Sequence, residues 1–119
     1  MNKRRAIRFL ARLHVRLNHE SITSWGILSD VSEKGIFIRS NRDFVTGKEI
    51  RIEIVMPDST TSILRGIVRR KRELQGSHRK YGLGVEITER DQSYLKFIDY
   101  LKSAAEEQDG LAGGTILRV

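Results

Sequence analysis

The stretch Phe9-Leu-Ala-Arg-Leu-His-Val-Arg-Leu17 places an apolar side chain at every second position, with mostly polar residues between them. Successive residues of a β-strand point to opposite faces, so this alternation predicts a strand with one buried face. The same period recurs at Ile50, Ile52 and Ile54, which alternate with Arg51 and Glu53. The chain is therefore predicted to be mainly β.

Further short segments separated by turn residues extend this pattern. Strands are predicted over residues 23–31, 36–40, 62–71 and 81–87. After Ile87 the spacing becomes helical, and Thr88 is predicted to cap a helix with Asp91 in its first turn, fading near Glu107. The total of six or seven strands predicts a closed or nearly closed antiparallel barrel with the C-terminal helix on its end or flank.

The chain has 119 residues, which suits one domain. We divide it into a flexible basic arm at 1–8, a barrel with its helix at 9–107, and a tail at 108–119. No segment approaches the roughly 20 apolar residues of a membrane span, and no apolar region follows the basic N-terminus as in a secretory signal. We therefore expect a cytoplasmic protein without membrane insertion.

Positive charge is concentrated in two places within a formal net charge of +7. The first sixteen residues hold six basic side chains and no acidic one, and a second cluster follows much later in the sequence. Such concentrations attract phosphate-bearing partners or acidic surfaces, although surface charge alone would also account for the second cluster. Its members are Arg65, Arg69, Arg70, Lys71 and Arg72.

The sequence offers little for catalysis. There are no cysteines, and His14, His19 and His78 do not have the spacing of a metal site. A nucleophile elbow, a Walker phosphate loop and a complete Rossmann glycine fingerprint are also missing. We therefore expect a binding protein rather than an enzyme, with no metal and no cofactor.

Two motifs are suited to binding a nucleotide. Arg4 and Arg8 precede the first strand, and their guanidinium groups can grip phosphate or bond the O6 and N7 atoms of guanine. The segment Asp30-Val-Ser-Glu-Lys-Gly35 adds a carboxylate, a hydroxyl at Ser32, and a glycine that tolerates a positive φ. A simple turn between two strands would also explain this segment.

Together, Arg4-x-x-x-Arg8 and Asp30-x-Ser32-x-x-Gly35 resemble the paired motifs of the PilZ domain family. The likeness continues through Gly66-Ile-Val-Arg69 and Tyr81-Gly-Leu-Gly-Val-Glu-Ile87, and covers about residues 4–100. The resemblance implies a six-stranded antiparallel split barrel with a C-terminal α-helix. It also implies a bacterial receptor for the second messenger cyclic di-GMP.

Carried over by motif, the resemblance assigns the ligand to two sets of residues. Arg4 and Arg8 would bind its guanines and phosphates, while Asp30, Ser32 and Gly35 would form the opposing face on the barrel. Secondary candidates are Arg5 within the first motif, Tyr81 and Gly82 on the last strand, and Lys3. A basic residue at the position of Lys3 is associated in this family with an intercalated ligand dimer.

The predicted mechanism is that ligand binding orders the arm over the barrel and presents a surface to an unknown downstream protein. Two alternatives remain open. The first is a general nucleic-acid-binding barrel, which is less favoured because the arm before Phe9 has no aromatic residue for base stacking. The second is an adaptor of the same fold that binds only protein.

Overall fold

Six antiparallel strands close into a barrel in the computed structural model, which describes residues 7–76 and 80–107 except the side chain of Glu107. Around the barrel the strands follow the order β1-β2-β3-β6-β5-β4, and β4 pairs with β1 to complete the closure. A single helix follows within the described residues. The elements are β1 Phe9–His19, β2 Ile22–Val31, β3 Gly35–Ser40, β4 Glu49–Val55, β5 Thr61–Glu73, β6 Tyr81–Glu89 and α1 Gln92–Glu107.

The alternation that predicted the barrel is confirmed by burial. Every second residue of β1 from Phe9 to Leu17 is buried, and Ile50, Ile52 and Ile54 of β4 are at most 1% exposed. These side chains meet inside the closed sheet, where they form one continuous apolar core. Most of the predicted arm, at residues 1–6, and the predicted tail at 108–119 lie outside the described residues.

The helix α1 packs one apolar face into this core. Tyr94, Phe97, Ile98 and Leu101 are buried at helical spacing, whereas Leu95 is 40% exposed. Among the described residues, no helix has both the length and the apolar character needed to cross a membrane.

The predicted cap at Thr88 is wrong. Strand β6 continues to Glu89, and the Thr88 hydroxyl donates to the backbone oxygen of Arg65 on the neighbouring strand. Asp91 is the actual N-cap, because its Oδ1 accepts the backbone N–H of Tyr94 at 3.0 Å. The same carboxylate also accepts the Ser62 hydroxyl and the Ile63 amide, so it joins the helix to β5.

Candidate functional site

Arg8 and Asp30 of the two predicted motifs meet at one edge of the barrel. Arg8 immediately precedes β1, and the pairing of Leu10 with Asp30 brings the end of β2 beside it. The Arg8 guanidinium donates to Asp30 Oδ1 from Nε at 2.8 Å and from Nη2 at 2.5 Å. Residues 22 positions apart therefore form one charged contact at the surface.

A register shift in β2 turns Asp30 outward. Pairing with β3 shifts between Leu28 and Asp30, so the next buried residue after Leu28 is Val31 rather than Asp30. Without this irregularity, strict alternation would aim the carboxylate into the apolar core. Irregularities of this kind often re-aim side chains beside functional sites.

The Ser32 hydroxyl is used inside the turn that joins β2 to β3. It accepts the backbone N–H groups of Lys34 and Gly35 and donates to the Gly35 oxygen at 3.1 Å. A hydroxyl has one proton and two acceptor positions, so these bonds saturate it. Ser32 is also only 2% exposed. Its role in this arrangement is to fix the turn.

Gly35 is required for space rather than for a left-handed backbone. Its φ lies outside the positive region, so the tolerance of glycine for a positive φ is not used at this position. A Cβ placed here would lie 3.1 Å from the Val85 backbone oxygen and 3.9 Å from Arg8 Nη1. The absent side chain therefore permits close approach of β6.

Helix α1 supports the turn from behind. The hydroxyl of the fully buried Tyr94 donates to the Ser32 backbone oxygen at 2.6 Å, and burial raises the pKa of that hydroxyl. Lys102 donates to Glu33 at 2.5 Å, and this hydrogen bond lowers the pKa of Glu33. The amide of Ile87 on β6 also donates to the Lys34 oxygen at 2.8 Å. The turn is therefore held from α1 and from β6.

An open groove of about 850 Å³ runs from the Arg8–Asp30 contact to the second half of β5. Its size lies in the range of small-molecule sites. Gly82 and Gly84 of β6 help to line it, and the Phe37 ring fills the space that a side chain at Gly82 would need. A Cβ at Gly82 would lie 2.4 Å from Phe37 Cζ. The floor at Gly82 is therefore formed by the Phe37 ring, and Gly84 adds no side chain of its own to the floor.

The groove is strongly cationic. Two acidic side chains, Asp30 and Glu86, line it together with six basic ones. Such an excess favours an anionic ligand, most strongly where several phosphate oxygens are present. Among the described residues, no group of three or more histidine and acidic side chains is placed to hold a metal ion. The six basic residues are Arg8, Lys34, Arg69, Arg70, Lys71 and Arg72.

The structure brings together part of the predicted site. Arg8, Asp30, Ser32, Gly35 and Gly82 line the same groove. The side chain of Tyr81, by contrast, packs against the core instead of lining the groove. The remaining candidates lie outside the described residues; these are Lys3, Arg4 and Arg5.

Sequence reasoning missed several lining residues, most of them basic or aromatic. The β5 cluster was visible as a run of charge, but alternation gave no indication that it would face the same groove as Asp30. Lys34 and Phe37 lie within or just after the second motif, and nothing in their spacing distinguished them. The missed residues are Lys34, Phe37, Arg69, Arg70, Lys71, Arg72, Gly84 and Glu86.

Comparison with solved structures identifies the same architecture in two bacterial proteins. The inhibitor of motility MotI (DgrA) of Bacillus subtilis superposes with a TM-score of 0.71 at 19% identity, covering 91% of this chain and 53% of that one. The chain thus spans about half the length of MotI. The PilZ domain of YcgR from Escherichia coli, solved with c-di-GMP, gives a TM-score of 0.64 at 14% identity, covering 92% and 100% of the two chains.

No curated protein matches the chain in sequence. The model of the PilZ domain family, however, matches residues 2–102, which is most of the chain. This range contains both motifs, the six strands and much of α1. The chain belongs to the PilZ domain family.

Proposed function

We propose that this PilZ domain is a receptor for cyclic di-GMP, which it binds in the groove beside Arg8 and Asp30. The observation that carries the proposal is the direct contact of these two residues, one from each motif, at the edge of a cationic groove. The ligand presents two phosphates and two guanines. A guanine N–H edge suits the Asp30 carboxylate, while phosphate or guanine O6 and N7 suit the Arg8 guanidinium.

The existing Arg8–Asp30 ion pair does not prevent such binding. The two side chains are 48% and 28% exposed, and ion pairs at this exposure contribute about 0–1 kcal/mol. A ligand that offers each partner new charge-assisted hydrogen bonds can therefore displace or rearrange the pair at little cost. The turn behind Asp30 stays fixed meanwhile, because Tyr94 and Lys102 hold it from the helix.

The N-terminal arm supplies the switch in this proposal. Arg8 is its last residue and lies at the groove edge, so Lys3, Arg4 and Arg5 need only a short reach to the same ligand. Ligand binding orders the arm at a cost of about 2–5 kcal/mol or less, and the ordered arm presents a surface to a downstream protein. Lys3 favours uptake of two intercalated nucleotides. We place this receptor in the bacterial cytoplasm and assign it no catalytic step and no cofactor.

Calorimetric titration of cyclic di-GMP into the full chain tests the proposal. We expect the wild type to bind with micromolar or tighter affinity, and Arg8→Ala to abolish binding or weaken it more than tenfold. Arg12→Ala is the matched control, because Arg12 is an exposed arginine of β1 that does not line the groove. It changes the net charge equally and is expected to bind as the wild type does. The fitted stoichiometry distinguishes one bound nucleotide from two.

The same titration separates the alternatives. A wild-type chain that does not bind cyclic di-GMP contradicts the receptor and leaves an adaptor that binds only protein. Binding that a single-stranded DNA oligonucleotide matches in affinity, and that weakens steeply with salt, favours the nucleic-acid-binding barrel instead. Equal affinities of wild type and Arg8→Ala would show that the ligand does not use this groove edge.

A further inference from the structure

The second half of β5 forms the wall of the groove opposite Asp30. Burial alternates along β5 through Ser62, Leu64 and Val68, but every residue from Arg69 to Glu73 is exposed. The change coincides with a register shift against β6 between Val68 and Arg70. Beyond the shift, side chains on β5 that face the groove stand opposite the glycines of β6.

Two arginines of this wall stand directly beside the glycine floor. Arg70 pairs with Gly84 in the strand register, and Arg72 pairs with Gly82. The Arg72 guanidinium lies over the Phe37 ring at 5.4 Å from its centroid, a cation–π contact that holds the group beside the floor. The Phe37 ring covers Gly82 beside Arg72, while the atoms nearest to a Cβ position at Gly84 belong to Arg70 itself.

Arg70 and Arg72 also have no acidic partner among residues 7–76 and 80–107. Their neighbours on the strand are neutralised, since Arg69 bonds Glu86 at 2.6 Å and Lys71 bonds Asp43 at 2.5 Å. Arg8 at the other edge is engaged by Asp30. Most of the uncompensated positive charge in the groove therefore comes from the two β5 arginines, together with Lys34.

We infer that Arg70 and Arg72 are ligand-binding residues that hold the second guanylate half of cyclic di-GMP, across the floor from Arg8 and Asp30. This inference rests on the proposed function and extends it to a second wall. A guanidinium group bonds phosphate or the O6 and N7 acceptors of guanine, and its flat face stacks on a purine. Arg72 lies over the Phe37 ring, and Arg70 lies two residues away along the same strand.

Calorimetry with cyclic di-GMP on the full chain tests the inference with Arg70→Ala, Arg72→Ala and the control Arg65→Ala. Arg65 is an arginine of the same strand that pairs with Glu89 at 3.4 Å and does not line the groove. We expect each groove variant to bind about tenfold more weakly and Arg65→Ala to bind as the wild type. Since all three lose the same charge, a change in overall net charge cannot produce the difference.

Two further measurements keep the result interpretable. Arg72→Lys keeps the charge but loses the planar guanidinium group, so it is expected to show a binding defect while folding normally. Amide resonances of Gly82 and Gly84 are expected to shift on titration of the wild type. If the wild type binds and Arg8→Ala does not, but Arg70→Ala and Arg72→Ala match Arg65→Ala, the second wall is refuted and the receptor stands. If the wild type does not bind, both proposals fail.

Discussion

Replacing Tyr94 with phenylalanine removes the hydrogen bond that fixes the ligand-side turn to the helix. The Tyr94 hydroxyl donates to the Ser32 backbone oxygen at 2.6 Å, and both residues are buried. Phenylalanine fills nearly the same space, so the apolar packing of the ring is kept. The substitution therefore isolates one polar contact between α1 and the turn that contains Ser32 and Gly35.

The expected loss of stability is about 2 kcal/mol. A net intramolecular hydrogen bond contributes about 0.5–1.5 kcal/mol, and a buried group left without a partner costs about 1–3 kcal/mol. The Ser32 carbonyl would be such a group, because Ser32 is 2% exposed and water has little access to it. For a domain of this size, 2 kcal/mol corresponds to a fall in Tm of about 8 °C.

Urea and thermal unfolding measure this loss, with Tyr100→Phe as the control. Tyr100 lies on the same helix but is 62% exposed, so the identical substitution is expected to change stability by less than about 0.5 kcal/mol. We also expect Tyr94→Phe to weaken cyclic di-GMP binding, since the turn beside Asp30 is less rigid. Equal unfolding free energies for the two variants would refute the role of the hydroxyl, whatever the binding result.

Three other outcomes follow from the same contacts. Asp91→Ala, measured against Asp99→Ala in urea, is expected to cost about 1–2 kcal/mol because it removes the helix cap. Partial burial alone would raise the pKa of Asp91, but hydrogen bonds from Ser62, Ile63 and Tyr94 lower this pKa overall. The contribution of Asp91 to stability is therefore present above its unfolded pKa of about 4 and is lost as the pH falls from there through the lower pKa of the folded state. Acid unfolding of the wild type and of Asp91→Ala would reveal this loss. Gly35→Ala is expected to destabilise the fold by about 1 kcal/mol and to weaken ligand binding, since its Cβ would lie 3.1 Å from the Val85 oxygen; an unchanged urea midpoint and affinity would contradict that close approach.

Most of the barrel could be predicted because its strands obey a simple rule over long stretches. Strand β1 alternates without interruption from Phe9 to Leu17, and β4 does so through its isoleucines. Period-two alternation is imposed by the geometry of an extended chain with one buried face, so it is readable directly from residue types. The helix was equally visible from the spacing of Tyr94, Phe97, Ile98 and Leu101.

Local chemistry was harder to predict where two residues could serve the same purpose. Thr88 and Asp91 are both capping residues, and the choice between them depends on how far β6 extends. That length is set by pairing with β5, where Arg65 lies opposite Glu89. Likewise, the residue type alone pointed to the tolerance of glycine for a positive φ at Gly35. The structure instead favours glycine there because a side chain would lie too close to the backbone of β6, which is remote in sequence.

The groove itself depends on two places where alternation fails. The register shift before Asp30 turns that carboxylate away from the core, and the shift before Arg70 turns the end of β5 toward the glycines of β6. A sequence read with a strict period of two assigns residues beyond each shift to the wrong face. The second motif therefore identified Asp30 as a binding residue from its residue type alone. Arg70 and Arg72 became candidates only once the pairing of β5 with Gly82 and Gly84 was known. If strand pairing continued without these shifts, the side chains of Asp30, Arg70 and Arg72 would point away from the groove. Deleting one residue at either shift is therefore expected to abolish the groove more completely than replacing any single side chain that lines it.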